Sequence, residues 1–299
     1  MERIFRSDPA IIKYLQTVIG YALTSSANEQ MAIILYGLGE NGKTTFIETA
    51  MALFGVGEYS VQTSFEVFLS TKFNNDGPNP GLAMLKGARL VTASESESGR
   101  KLNESLLKHV TGNGTITTRL LYKDPFSFEP QFQLFLDTNN KPVIRDQTHA
   151  MWRRIRLVPF VETITSQEKI LDLGDRLRAE ELPGILNWAL EGYRIYREQG
   201  LVTPGSVTAA TSDYRTDEDP LGEFLSTCCL LEEGASQPSG LLFQAYRNWC
   251  ESMGPKALDS RWFGQSLAQQ GINREARSKS SRGSYIGIRL RKVGDDAIG

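Results

Sequence analysis

One junction constrains this chain more than any other: a short apolar run that passes directly into a glycine-rich turn carrying a lysine. Met31 to Tyr36 reads MAIILY, and Gly37-Leu38-Gly39-Glu40-Asn41-Gly42-Lys43-Thr44 follows without a gap. A continuous apolar run of this length fits a strand buried on both faces of a parallel sheet. The turn matches G-x-x-x-x-G-K-[ST], the pattern of a loop that wraps phosphate. Its glycines let backbone N–H groups close around the anion, and a helix expected over Thr44 to Leu53 points its N-terminal dipole at the same place. The expected cradle is Gly37, Gly39, Glu40, Asn41, Gly42, Lys43, Thr44 and Thr45. In it Lys43 reaches the β- and γ-phosphates and the Thr44 hydroxyl ligates Mg²⁺.

Strand, loop and helix in this order open an α/β domain. Upstream, Asp8-Pro9 starts a helix, with Asp as cap and Pro in the first turn. Ile11, Leu15, Val18, Ile19 and Ala22 then recur at helical spacing. Downstream, Arg89–Ala93, Gln131–Leu136 and Ile155–Phe160 read as strands, and Asn103–Thr111, Ile170–Arg178 and Leu186–Tyr196 as helices. Thr203 to Pro220 is polar and holds Pro204, Gly205 and a Thr-Asp-Glu-Asp-Pro run, which predicts a boundary. Beyond it, helical segments at Leu221–Leu231, Leu241–Ser252 and Arg261–Gln270 precede an alternating Ser280–Lys292, the make-up of a winged helix. The expected layout is an N-terminal helical segment (1–30), a nucleotide-binding core (31–165), a helical segment packing on that core (166–215) and a winged-helix domain (216–299).

Composition narrows the class. The chain has 299 residues, 23% charged and 40% hydrophobic, which excludes a disordered or collagen-like polymer. Ala32 to Tyr36 is a run of five against the roughly 20 that a membrane helix needs, so no span is expected. Met1-Glu2-Arg3 opens no signal-type apolar block. Cys228, Cys229 and Cys250 have no metal spacing and predict reduced, half-buried thiols of a cytoplasmic protein.

A phosphate cradle does no work without an acid to orient water. Arg89-Leu90-Val91-Thr92-Ala93-Ser94-Glu95 supplies one: a strand ending in Glu95, whose tip, beside the first strand, faces the phosphates. A third strand ends Leu136-Asp137-Thr138-Asn139-Asn140, which brings the Asn139 amide to the same sheet edge. Trp152-Arg153-Arg154 enters a fourth strand, and an arginine delivered from a neighbouring subunit stabilises transferred phosphoryl charge. Between Thr115 and Phe128 a hairpin is expected. Its Tyr122-Lys123 tip pairs an aromatic ring, suited to stacking on a base, with a cation suited to a phosphate. In residues 271–292 seven Lys and Arg stand against Glu275 alone, although the whole chain carries −2. Arg277, Lys279 and Arg282, around the tip of the expected wing, are the candidates there for DNA phosphates.

Taken in order, GLGENGKT, RLVTASE, LKHVTGNGTITTRLLYKDPFSFEP, FQLFLDTNNKP and MWRRIRLVPF resemble the superfamily-three AAA+ helicases of small DNA viruses, phages and plasmids. The resemblance, which spans about residues 8–292, is nearest to the helicase half of phage and plasmid primase-helicases, whose relatives include the poxvirus primase-helicase. It implies an AAA+ P-loop core with helical flanks and a C-terminal winged helix. It also implies a homo-hexameric ring that couples ATP hydrolysis with Mg²⁺ to translocation on single-stranded DNA and unwinding of forked DNA. Carried over by residue, Lys43 and Thr44 match the Walker A lysine and hydroxyl. Ser94-Glu95 falls on the Walker B acid pair, Asn139 on the sensor asparagine, Arg154 on the arginine finger with Arg153 beside it, and the Lys123 hairpin on the pore loop. Because Ser94 stands where the first acid belongs, Glu95 is left as the sole catalytic acid, and metal contact falls to Thr44, Glu95 and water. A primase or polymerase, fused in a longer chain or separate, is the expected partner, and a bacterial host cytoplasm the expected location for a phage or plasmid product. Two other classes remain: an AAA+ ATPase that loads or remodels replication proteins, which needs no pore hairpin, and a DNA-binding initiator that uses ATP as a switch, which needs no full hydrolysis set.

Overall fold

The computed structural model describes residues 1–5, 8–70, 78–95, 99–254, 257–275, 283–292 and 295. The chain divides into two compact units, Met1–Tyr214 and Arg215–Gly299.

In the first unit the elements run α1 (Pro9–Ala22), β1 (Ala32–Tyr36), α2 (Lys43–Phe54), β2 (Ser60–Ser64), α3 (Pro80–Ala83), β3 (Leu90–Ser94), α4 (Glu104–Val110), β4 (Ile116–Thr118), β5 (Phe126–Phe128), β6 (Gln133–Thr138), α5 (His149–Trp152), β7 (Ile155–Pro159), α6 (Leu173–Glu180), α7 (Leu182–Gln199) and α8 (Gly205–Asp217), whose last turn crosses into the second unit. Five described strands form one sheet in the order β2-β3-β6-β1-β7, every neighbouring pair parallel. The crossover connections of a parallel sheet place cover on both faces, so alternate residues of one strand enter different cores. Ile33 and Leu35 pack with Leu15, Val18 and Ile19 of α1 and Ile47 and Met51 of α2. Ala32 and Ile34 pack on the opposite side with Leu107 and Val110 of α4. This two-sided burial is why the central strand reads as an unbroken apolar run. Each such side chain taken from water contributes about 1.5–3 kcal/mol.

The cap read at Asp8 is present: its Oδ1 accepts from Ala10 N at 3.0 Å, with Pro9 in the first turn. Helices α1 and α7 approach until only glycine fits. A Cβ on Gly20 lies 2.2 Å from Tyr193 N, and one on Gly192 lies 2.0 Å from Gln16 O. The Gln16 amide donates to Trp188 O at 2.9 Å across the same contact.

Three features of the first unit depend on partners that the local sequence pattern does not show. Strand β2 was not anticipated, because Ser-Val-Gln-Thr-Ser offers one strong apolar residue and takes its place at the sheet edge by pairing with β3. The polar stretch after Thr203, where a boundary is expected, is largely the helix α8, and the division between the two units falls within it at Tyr214/Arg215. Val207 and Tyr214 lie two turns apart on its buried face, and Tyr214 packs edge-on against Trp152 with centroids 5.2 Å apart and donates a hydrogen bond to Pro142 O. Thr211 on α8 accepts from Leu157 N at 3.0 Å, which satisfies an edge donor of β7 that a bare edge strand leaves open. The hairpin strands β4 and β5 are shorter than the pattern suggested, and Arg119–Pro125 forms the tip between them.

The second unit runs α9 (Pro220–Cys228), β8 (Cys229–Pro238), α10 (Ser239–Met253), α11 (Ser260–Gln269) and β9 (Ser284–Leu290). The helix expected to reach Leu231 stops at Cys228. Cys229, Leu230 and Leu231 instead pair antiparallel with Leu290, Arg289 and Ile288, a partner some 60 residues downstream that no local window registers. Arg274 forms an isolated antiparallel bridge with Tyr285 of β9. Phe224, Tyr246, Phe263, Leu267 and Ile288 fill the core. Cys229 and Cys250 are buried and Cys228 half-buried, all three as free thiols.

Candidate functional site

The loop after β1 takes the shape its glycines permit. Gly39 has φ +110° and Gly42 φ +83°, conformations in which L side chains are strained, and Gly42 caps α2 from the left-handed region. A Cβ on Gly37 lies 2.2 Å from Asn41 Nδ2 and 2.4 Å from Phe160 O, so the first glycine is required by close approach. Asn41, itself buried, braces the loop. Its Nδ2 donates to Phe160 O at 3.2 Å, and its Oδ1 accepts from Lys43 Nζ at 3.3 Å. Helix α2 begins at Lys43, whose N–H donates to Asn41 Oδ1 at 3.5 Å, and the next N–H groups of its first turn have no partner within the helix.

Lys43 is 4% exposed. Its Nζ donates to Gly37 O at 2.6 Å and to Asn139 Oδ1 at 3.1 Å, and lies 3.8 Å from Asp137 Oδ1. Burial pulls the ammonium pKa below its ordinary value, and Asp137 partly offsets this. Burial likewise raises Asp137, against the pull of Lys43. Glu95 follows β3 directly, and its N–H donates to Asp137 O at 2.9 Å. One carboxylate oxygen, Oε2, accepts from Thr138 Oγ1 at 2.6 Å; the other, Oε1, is buried with no hydrogen-bond partner among the described residues. Burial raises the Glu95 pKa, while the Thr138 bond and Arg100 pull it back. Thr44 is exposed at the mouth of the loop, and Thr45 is half-buried one residue on. Beside them lies a cavity of about 590 Å³, mostly apolar, lined among others by Ile4, Thr45, Phe46, Ile164 and Leu177. Arg3 ties the N-terminal segment over this region through Glu162 at 2.9 Å and Glu168 at 2.7 Å.

The structure thus gathers Asn41, Lys43, Asn139 and, through Thr138 and Asp137, Glu95 at the carboxyl ends of β1, β3 and β6. Asp137 was missed: the sequence reading took the amide at 139 and passed over the acid two residues earlier, although it closes the same strand. Arg154 is not gathered there. Its neighbour Ile155 pairs with Ala32, the first residue of β1, so Arg154 stands at the amino end of the sheet. A five-residue strand at about 3.3 Å per residue puts it roughly 16 Å from the loop of its own chain. Arg154 donates to Ala150 O at 2.5 Å, and its Nε is buried without a partner among the described residues. Arg153 and Arg154 both reach Gln30 Oε1, at 2.6 and 3.4 Å. Tyr122 is fully exposed at φ +58° on the β4–β5 tip, with Lys123 exposed beside it. Arg277, Lys279 and Arg282 lie outside the described residues. Nearby, Arg289 is ion-paired to Glu232 and Asp295, both at 2.7 Å, so part of the basic run is already neutralised.

Fold and loop together define a mixed α/β protein with a central parallel sheet and a P-loop-like core. Comparison with known proteins narrows this. Residues 35–154 match a family of unknown function, DUF5906, and residues 216–285 match the family described as poxvirus D5 protein-like. The chain is 28% identical over 265 residues to protein L207/L206 of Acanthamoeba polyphaga mimivirus, provisionally named a helicase, covering 82% of this chain and 27% of that protein. It is 26% identical over 261 residues to the provisional helicase 022R of Frog virus 3, covering 79% and 26%. To the provisional primase C962R of African swine fever virus it is 27% identical over 146 residues, covering 49% and 15%. The chain spans about a quarter of the length of the two helicase-named relatives. Among solved structures, an apo form of the NrS-1 C-terminal region shares the fold, with a TM-score of 0.55 at 12% identity over 96% of this chain and 74% of that one. Among the described residues no helix is long and apolar enough to cross a membrane.

Proposed function

We propose that the chain is the motor of a DNA helicase that works as a homo-hexameric ring on single-stranded and forked DNA, driven by ATP and Mg²⁺, in the replication of a virus or other mobile element. The observation that carries this reading is the Lys43 ammonium, almost fully buried yet held by loop and strand-end oxygens at the start of helix α2. A buried charge is costly unless it is paired, and a lysine kept there at that cost is placed for an anion. The residues suit magnesium ATP. The loop carries phosphate-binding backbone, Thr44 offers a hydroxyl, the apolar cavity beside Thr45 gives a base a place to lie, and the orphaned Glu95 Oε1 lacks a donor that a water can provide. When bound, magnesium ATP supplies the free energy of phosphoryl transfer.

In this reading Lys43 and the loop N–H groups hold phosphate, and Thr44 and Glu95 face the metal. Glu95 orients the attacking water with Thr138 fixing its other oxygen, and Asn139 holds the Lys43 side chain in register. Arg154, being far from its own loop, serves as finger for a neighbouring subunit. The Tyr122–Lys123 tip follows the single strand. The order α9-β8-α10-α11-β9, with β8 and β9 paired antiparallel, supports a winged helix at 216–299, whose Arg277, Lys279 and Arg282 are proposed to contact DNA phosphates. A primase or polymerase, fused or separate, completes the machinery.

Strand displacement on forked DNA tests the proposal. ATP-dependent unwinding is expected. ATP hydrolysis without unwinding would favour a loader or remodeller, and DNA binding with nucleotide binding but no turnover would favour an initiator switch.

A further inference from the structure

Strand register moves one acid of the nucleotide site to an unexpected position. Along β3, Leu90 and Thr92 face α2: Leu90 lies in the core shared with that helix, and Thr92 Oγ1 donates to Met51 Sδ at 3.2 Å. Ser94 continues that alternation and therefore lies on the α2 side of the sheet, at its carboxyl end. Along β6, Phe135 lies in the same core and Asp137 continues its side. Ser94 and Asp137 are direct register partners on adjacent parallel strands, which places their side chains on one face about 4.8 Å apart. The β3 position that would aim a carboxylate at the loop holds a neutral hydroxyl, and its cross-strand neighbour holds the carboxylate.

Asp137 is already oriented inward, 3.8 Å from Lys43 Nζ, an ion-pair distance too long for a hydrogen bond. Glu95 is engaged differently, through Thr138, whose alternation partners Leu134 and Leu136 lie in the opposite core. The two carboxylates therefore have separate supports, and of the two Asp137 is the one in contact with the loop lysine. From this geometry we infer that Asp137 is the metal-facing carboxylate of the nucleotide site, supplied by β6 in place of Ser94 on β3, while Glu95 is left to orient water. The inference rests on the nucleotide reading above. It replaces the division of labour that the sequence resemblance implies, in which Glu95 served both roles.

The test measures affinity of the 299-residue chain for a fluorescent ATP analogue, with magnesium and in EDTA. Wild type should bind more tightly with magnesium. Asp137→Asn should lose about tenfold or more of the magnesium-dependent tightening, read as the ratio of the variant's own affinities with magnesium and in EDTA, the range seen when groups that support a metal are removed. Removing the partner of buried Lys43 risks the fold, so Ser94→Asp/Asp137→Ser provides the second variant. It keeps one carboxylate on the same face, one strand over, and should regain most of the magnesium effect. Mn²⁺ bound with ADP, followed by electron paramagnetic resonance, should show the same loss and recovery. Full magnesium enhancement in folded Asp137→Asn overturns the inference, and so does a folded double variant without recovery. If wild type itself binds no analogue, the nucleotide reading falls and takes this inference with it. If wild type binds with a magnesium effect that Asp137→Asn retains, only the role of Asp137 falls.

Discussion

Glu95 and Glu168 show how two carboxylates of one chain are put to different uses by their neighbours. Glu95 sits in a desolvated position with one oxygen bonded and one bare. Glu95→Gln keeps the shape and the Thr138 contact while removing the charge that orients water. We expect nucleotide binding to persist and ATP turnover to fall by about 10²–10⁴-fold, as read by phosphate release beside analogue binding. Lys43→Ala should lose both. Glu168 is exposed, and hydrogen bonds from Arg3 and then Thr165 hold its pKa down to about 2 from an ordinary 4.5. A carboxylate depressed in the folded state stabilises it above the unfolded pKa and loses that contribution as pH falls. The Arg3 clamp, with Ile4 behind it against the loop, should therefore loosen between about pH 4.5 and 2. Protection of residues 1–5 against hydrogen exchange, taken relative to the intrinsic rate at each pH, should fall through that window in wild type and be low at every pH in Arg3→Ala.

At the scale of elements, α7 and the β4–β5 hairpin make opposite demands. Gly192 of α7 lies against α1 with no room for a methyl group, whereas a Cβ on Gly184 of the same helix meets only Glu181 Oε2 at 3.7 Å. Alanine gains up to about 1 kcal/mol over glycine in a helix, but forcing atoms into a packed contact costs about 1–3 kcal/mol. Gly192→Ala should thus lower the melting temperature and Gly184→Ala raise it slightly, a contrast that propensity alone does not produce. The hairpin is packed at its base and bare at its end, where Leu121 and Tyr122 are exposed. In the proposed helicase, Lys123→Ala should abolish unwinding. It should also flatten the slope of log affinity against log salt by about 0.7 per engaged subunit. Normal unwinding by this variant would remove the hairpin from the DNA path.

At the scale of the whole molecule, the separation of Arg154 from its own phosphate loop has a consequence that a single chain cannot express. If Arg154 completes the site of a neighbour, Arg154→Ala should abolish turnover without weakening ATP binding by its own subunit. Mixing it with Lys43→Ala should restore part of the activity, because some interfaces then pair an intact cradle with an intact finger. Absence of rescue in subunits shown to co-assemble would count against a role in trans.

What the sequence determined by itself is local or periodic. The phosphate loop was legible because its glycines are demanded by backbone angles and close approach within a few residues. The buried strands β1, β3, β6 and β7 were legible because two-sided burial leaves continuous apolar runs, and α1 because Asp8 caps it within two residues. The tertiary structure decided whatever depended on a distant partner. Cys229 to Leu231 became strand because β9 pairs with them, and a polar stretch became α8 because Trp152 and Pro142 receive Tyr214. Asp137 came to face Lys43 only once β6 lay in register between β3 and β1. Register is a relation between strands far apart along the chain, and local periodicity carries no record of it; for that reason the acid beside the lysine could be seen only in the folded sheet.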